Sequence, residues 1–465
     1  MSQYLKETKS GSYTWLAWIS IGITLMNVYH TKLIRLFVPG FSTAFVSVFL
    51  AASAALLVLY FIVGRNLNFS GIAFTEIDFL LLVPIVVILA TSGGDRETLT
   101  YAIRFVILFL TVLLMKYEEK MIRITYIWFL ISGLIHVFAT IFLYYNPSFY
   151  LQYIYPTFTP VAQEKLYYWN LINGYATGLT EHYSLNGMYI SIAFLTASAL
   201  LYYKGKGHKV IGIILVLACL VALFMTGKRA VLIFALFAFA VTYMVCNRSS
   251  AISKAVLALT AVLGGIIVIY VASLNIESIG VSMDRFTEVL NTSDSYDISN
   301  GRFKLYGIAW DYFLSSPIFG IGWREFSRRV VVFYHQDDAF RDTHNVFLQL
   351  LCETGIVGFL VFIALFTTAL ILTIRLILKY NRGELVLSDS DRFGLVFSLS
   401  AQIYFLCYCM TGNPLYDIST LYFYLFAVGL ASSVRFRNEK DVTLFGKEKK
   451  HLNSKYIRST AEGHR

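Results

Sequence analysis

The chain has 465 residues, of which 57% are hydrophobic, 16% aromatic and only 14% charged, and its mean hydropathy is +0.65. Soluble chains carry roughly 25% charged residues, so this composition excludes an ordinary soluble enzyme and predicts an all-α polytopic membrane protein. The net charge of +10 comes with no reading module or aromatic platform, which argues against nucleic acid as a partner.

The five cysteines (Cys219, Cys246, Cys352, Cys407, Cys409) fall in or beside apolar runs. They form neither zinc spacing nor a disulfide framework, and read as packing residues. No metal or cofactor is expected.

Taken in order, residues 1–12 are polar and show no signal-peptide cleavage pattern after them. They read as a cytoplasmic amino terminus. Windows of about 20 apolar residues then predict about twelve spans. The N-terminal bundle, 13–145, holds Tyr13–Tyr29, Phe41–Val63, Ile77–Ala90 (short, and broken by Pro84), Leu99–Met115 and Ile122–Tyr145. A loop at 146–183 follows, punctuated by Pro147, Pro156 and Pro160 and rich in aromatic residues such as Tyr167, Tyr168 and Trp169. Central spans occupy 184–273: Ser184–Tyr203, Val210–Met225, Ala230–Cys246 and Ile252–Ser273. The largest polar stretch, 274–343, precedes the C-terminal spans Val346–Leu378, Phe393–Met410 and Leu415–Val434 within 344–434, and a basic tail at 435–465.

Cytoplasmic loops collect lysine and arginine. Lys116, Lys120, Arg123, Lys204, Lys206, Lys209, Arg248, Lys254, Arg375, Lys379, Arg382 and Arg392 fall on one side of this topology. The tail adds Lys447, Lys449 and Lys450. Both termini therefore read as cytoplasmic, and the loops at 146–183 and 274–343 as extracytoplasmic. Long loops are more often functional than structural.

A few cations break the charge rule. Thr226-Gly227-Lys228-Arg229-Ala230 is a tight turn placed on the outer side. Two cations there work weakly against insertion, and an anion is their natural partner, because arginine presents a planar fork that matches phosphate oxygens. A snorkelling pair at the headgroups is the plain alternative. Arg302 follows the turn-forming Asn300-Gly301 and begins an amphipathic run (Phe303, Tyr306, Trp310, Phe313, Leu314) that reads as a helix in the outer interface, ended by Pro317. Gly320 and Gly322 then let the backbone pass close to another segment or a ligand. Arg104 sits a turn inside an apolar run near its outer end, where it faces a cavity or snorkels.

Thr343 reads as the N-cap of a helix beginning at His344, which places Leu348, Leu351, Gly355 and Gly358 on the histidine's face. The glycines then let a neighbouring helix approach, and a helix amino terminus keeps His344 neutral and fit to accept a hydroxyl proton. Asp337, Asp338 and Asp342 are candidates to orient it. His136, His208, His182 and His335 read as structural.

Together these residues carry a resemblance. Thr226-Gly227-Lys228-Arg229, the Gly301-Arg302…Pro317-x-x-Gly320-x-Gly322 stretch and His344-Asn345…Leu348…Gly355-x-x-Gly358 resemble the O-antigen ligase/polymerase superfamily, over roughly Ser184 to Arg382. The resemblance implies a metal-independent GT-C-type glycosyltransferase in the bacterial cytoplasmic membrane, with about twelve helices and a large extracytoplasmic loop carrying short amphipathic helices. It implies an undecaprenyl-pyrophosphate-linked glycan donor, a glycan acceptor, membrane lipid around both, and a chain-length regulator as a candidate partner. Carried over by match, Arg229 and Arg302 bind the pyrophosphate and His344 is the base. Lys228 stands where the family often has a small residue, and adds a third cation. Arg104, Asn345 and Asp342 are candidate substrate-cavity residues.

Within the superfamily, a polymerase passes the growing chain to another lipid-linked repeat, a ligase passes polymer to lipid A core, and a protein oligosaccharyltransferase passes glycan to serine. The two long outer loops favour the polymerase. A lipid-linked-glycan flippase is the alternative of another class. Such transporters place polar residues near the midplane and show repeated halves, and neither pattern is visible in this chain.

Overall fold

Backbone groups inside a bilayer must be satisfied within the chain, so apolar runs of this length fold as helices. The computed structural model describes residues 14–30, 34, 43–64, 74–92, 96–116, 119–203, 205–247, 271, 274, 302–334 and 342–439. Among these the α-helices of seven residues or more are α1 (Thr14–Tyr29), α2 (Thr43–Leu59), α3 (Glu76–Thr91), α4 (Arg96–Met115) and α5 (Glu119–Tyr145). They continue with α6 (Pro160–Leu166), α7 (Tyr183–Leu200), α8 (Lys206–Met225), α9 (Arg229–Cys246), α10 (Arg302–Ser315) and α11 (Glu325–Tyr334). The last three are α12 (Val346–Arg382), α13 (Asp389–Cys409) and α14 (Ile418–Asn438).

Among the described residues, six helices are long and apolar enough to cross a membrane: Lys120–Tyr145, Lys206–Met225, Arg229–Cys246, Val346–Arg382, Asp389–Cys409 and Ile418–Asn438. The chain is a helical membrane protein. Most of the predicted span Ile252–Ser273 and of 274–301 lies outside the described residues, as do the Asn300-Gly301 turn, Asp337 and Asp338. One expectation is corrected. Pro84 does not break its run, because α3 continues through it from Glu76 to Thr91; neighbouring helices accommodate a missing N–H in such a setting.

Helices α13 and α14 form the centre, buried along most of their length and packed on each other. Around them stand α7, α9 and α12 against α13, and α4 against α14. Outer helix α8 instead exposes Ile211, Ile214 and Leu217, the pattern expected of a surface facing lipid.

Cross-helix contacts define the bundle's two ends. At one end Arg435 of α14 reaches Glu76 at the start of α3, Arg437 pairs with Asp391 at the start of α13, and Lys379 meets Glu439 at 2.5 Å. The buried pair Lys116–Asp78 lies at this end too, with Asp78 also completing a capping box with Thr75. The opposite end gathers the carboxy end of α3 and the starts of α7, α9, α12 and α14. There Trp323 N–H donates to Thr91 O (3.2 Å), Ala176 N–H to Met225 O (2.8 Å) and Tyr416 Oη–H to Glu353 Oε2 (2.8 Å).

Candidate active site

Helix α12 is broken one-quarter of the way along. Gly355 has φ 63° and ψ −172° inside an otherwise helical run, a conformation essentially open only to glycine. The break strands backbone donors and acceptors, and the Pro317–Gly322 loop satisfies them. Ile321 and Gly322 N–H donate to Cys352 O and Glu353 O, each at 2.9 Å. In return Ile356 N–H donates to Pro317 O (2.9 Å) and Val357 N–H to Ile318 O (3.3 Å). Gly320 is what lets the loop come so near, since a Cβ there would lie 2.4 Å from Glu353 O. The expected close approach at Gly355 is therefore made by this loop, not by a neighbouring helix. Gly358 does meet a helix, with Val87 of α3 beside it.

The same loop seats Trp323, which is fully buried, stacks on Tyr416 at 4.7 Å and tilts against Tyr101 at 5.5 Å. Tyr101 anchors the far side by donating to Leu415 O. Arg104 is half-buried one turn along α4 from Tyr101.

The His344 turn differs from the sequence expectation. Helix α12 starts at Val346 with Asn345 as N-cap, its Oδ1 accepting from Phe347 N (3.0 Å) and Leu348 N (3.2 Å). His344 stands before the helix with φ 56°, a left-handed conformation that is costly for a residue with a Cβ. The earlier face count from His344 therefore fails. Two neighbours bridge this turn: Thr343 Oγ1 accepts from Asn345 N (3.0 Å) and donates to Asn345 O (2.7 Å). With Oδ1 committed to the cap, Asn345 reads as a structural residue of the site.

Behind the turn lies a buried polar network that the sequence reading missed. Gln349 is its hub. Gln349 Nε2 donates to Asp342 Oδ1 (3.2 Å) and Glu353 Oε1 (3.1 Å), while Gln349 Oε1 accepts from Asn413 Nδ2 (2.9 Å) and Thr343 N (3.3 Å). Ser327 donates to Asp342 Oδ1 (2.6 Å), and Tyr416 closes the chain at Glu353. Glu353 and Gln349 are fully buried, and buried polar groups of this kind are tolerated only when paired. The available signal was an acid inside an apolar run.

In front of the turn the cations converge. Gly227, at φ 64°, reverses the chain between α8 and α9, so that Lys228 precedes the helix and an exposed Arg229 begins it. Arg302 begins α10 and is half-buried. Burial, then Arg302 and Arg229, lower the Lys228 pKa to about 8. His344 remains accessible at the edge of this group, yet enough protein surrounds it for desolvation to lower its pKa. Arg302 and Lys228 push the same way, and Asp342 opposes them. These mutual effects put Lys228, Arg229, Arg302, Asp342 and His344 in one locality.

The aromatic segment after α5 adds the last wall. It is not an open loop, because Tyr150, Ile154, Phe158 and Leu166 bury themselves against Ala139 and Leu143 of α5. Its end delivers Trp169 to the ring of His182 (4.2 Å), which stacks on Tyr183 (4.5 Å), over whose ring lies Lys228 Nζ (5.8 Å). His182, read from sequence as structural, thus joins the cationic group. Among the described residues no cluster of three or more metal-ligating side chains occurs.

Residues 187–363 match the O-Antigen ligase family model. The matched segment contains Lys228, Arg229, Arg302, Asp342, His344 and Asn345, together with Gln349, Glu353 and Gly355. Arg104 and His182 lie ahead of it. No curated protein sequence matches the chain.

Proposed function

Given an O-antigen ligase segment at residues 187–363, we propose that this protein is a membrane glycosyltransferase that polymerises undecaprenyl-pyrophosphate-linked oligosaccharide repeats. The observation that carries the reading is the electrostatic grouping of Lys228, Arg229 and Arg302 beside His344. A lipid pyrophosphate carries about two negative charges, and a sugar–pyrophosphate bond is already activated. The protein's task is then to position two substrates and stabilise the leaving group.

In this scheme the cations hold the pyrophosphate. An acceptor hydroxyl oxygen attacks the anomeric carbon from the opposite side, and the bond to the pyrophosphate oxygen breaks. Its electron pair leaves with the lipid pyrophosphate, so the configuration inverts. His344 takes the hydroxyl proton. It is suited to this because its lowered pKa keeps the ring neutral at physiological pH. In this reading the site faces the extracytoplasmic side of a bundle of about twelve spans, with both termini inside. Support comes from the ends of the bundle: the turn at 226–230 lies opposite the end where Lys116, Lys379, Arg435 and Arg437 collect, and such cations mark the cytoplasmic side.

The test uses purified protein in liposomes with a synthetic lipid-linked repeat. A ladder of longer lipid-linked glycans is expected. Transfer only when lipid A core is supplied would make it a ligase instead. Unchanged glycan that has crossed the bilayer would make it a flippase and end the enzymatic reading.

A further inference from the structure

The ring of His182 is fixed by three contacts. Ser184 N–H donates to its Nδ1 at 3.0 Å, so Nδ1 is the acceptor and Nε2 carries the proton of the neutral ring. Trp169 meets the ring edge-on at 4.2 Å and Tyr183 stacks on it at 4.5 Å. No described residue takes a hydrogen bond from Nε2, and Nε2 is not among the buried unpaired atoms, so this donor opens to solvent.

Its surroundings are those of the cationic group. Tyr183 lies under Lys228 Nζ, Gly187 on the next turn of α7 comes within 3.3 Å (measured from an added Cβ) of Thr226 Oγ1, and Ala176 N–H is tied to Met225 O. The start of α7 and the turn at 226–230 therefore form one rigid corner.

Building on the function proposed above, we propose that His182 is an anion-binding donor of the site, giving an uncharged hydrogen bond from Nε2 to a phosphate oxygen of the lipid-linked substrate. Burial and the neighbouring charges of Lys228, His344 and Lys165 hold its pKa down, to about 3, so the ring donates without adding a fourth positive charge. A neutral donor of fixed tautomer costs no reorganisation when the substrate arrives.

Two substitutions separate this role from helix capping. Asn places its Oδ1 where Nδ1 stands, and is itself a strong N-cap, but it has no atom at the Nε2 position. Gln places an amide N–H near Nε2 and gives up the cap. Binding of inorganic pyrophosphate to the purified full-length protein is measured by calorimetry. His182→Gln is expected to bind within about twofold of the unsubstituted protein, and His182→Asn to bind on the order of ten- to a hundredfold more weakly, the loss expected for one hydrogen bond to a charged group. Normal binding by His182→Asn with weakened binding by His182→Gln would assign His182 to the cap alone and overturn the proposal. So would equal losses in both, or no pyrophosphate binding by the unsubstituted protein. Binding that follows the expected order, in a protein that transfers no glycan from lipid, would leave this donor standing and remove the polymerase reading instead.

Discussion

Gly320 and Glu353 touch through their backbones: a methyl group on Gly320 would sit 2.4 Å from the Glu353 carbonyl oxygen. That contact locks the Pro317–Gly322 loop into the break in α12, and through Glu353 it joins the loop to the network behind His344. The break is thus part of the site's construction. Gly355→Ala must force a side chain into a glycine-only conformation, worth about 1–3 kcal/mol, and against Ile318 O at 2.2 Å. Thermal unfolding of the purified variant should show a marked drop in midpoint, as should Gly320→Ala. Gly307→Ala is the control. It lies mid-helix in α10 with nothing within 4 Å of the added methyl, so it should be neutral or stabilising by up to about 1 kcal/mol.

Local chemistry made part of this legible in sequence. The Thr226–Ala230 turn, the start of α10 at Arg302 and its end ahead of Pro317 follow from residues a few positions apart, and the structure keeps them. The kink was not legible, because its cause is pairing between backbone segments about 35 residues apart, and glycines at 320, 322 and 355 say only that something comes near. The His344 turn failed for a narrower reason. Thr343 and Asn345 are both good caps, and Asn345 wins because Thr343 is engaged in bridging the backbone around the histidine. The surroundings of His182 were not legible in the same way, because Trp169 and Lys228 come from two other parts of the chain.

The network predicts that Gln349 and Glu353 act on His344 without meeting substrate. Glu353→Ala leaves the Tyr416 hydroxyl unpaired in the interior, at about 1–3 kcal/mol, and takes from Gln349 Nε2 one of its two acceptors, Asp342 being the other. Its unfolding midpoint should fall along with its activity. Glu353→Gln can still accept one bond and donate the other, so it should fold near normally. Gln349→Ala takes one partner each from Asp342 and Thr343, the two residues that lead into His344. Its kcat should fall at least tenfold while KM for the lipid-linked donor stays within about twofold, because the cations of α9 and α10 are untouched. Equal changes in both constants would show that the network merely holds the fold.

Arg229, Arg302 and His344 should each be essential. Removing one preorganised charge contact of this kind costs roughly 100- to 1000-fold in rate, so Arg229→Ala and Arg302→Ala should lose most transfer while remaining in the membrane at near-normal levels. Arg229→Lys should also lose much of its rate, since an ammonium cannot form the planar fork. Full transfer by His344→Ala would remove it as the base. The assay is elongation of a synthetic lipid-linked repeat by equal amounts of folded protein.

The pH profile of transfer then has a sign at each limb. His344 must be neutral to accept a proton, and burial with Arg302 lowers its pKa below the ordinary 6.5, so the acid limb should lie below that pH. Lys228 must be charged to hold an anion, and its pKa of about 8 predicts that kcat/KM falls as pH rises through that value. Bound pyrophosphate favours the charged form, so the loss should appear mainly in KM. Lys228→Arg keeps its charge throughout this range and should carry the alkaline limb to higher pH. Lys228→Met removes one of the charges that depress His344, so its acid limb should move up toward 6.5. An alkaline limb still near 8 in Lys228→Arg would assign that titration to another group and leave Lys228 with no part in binding the donor.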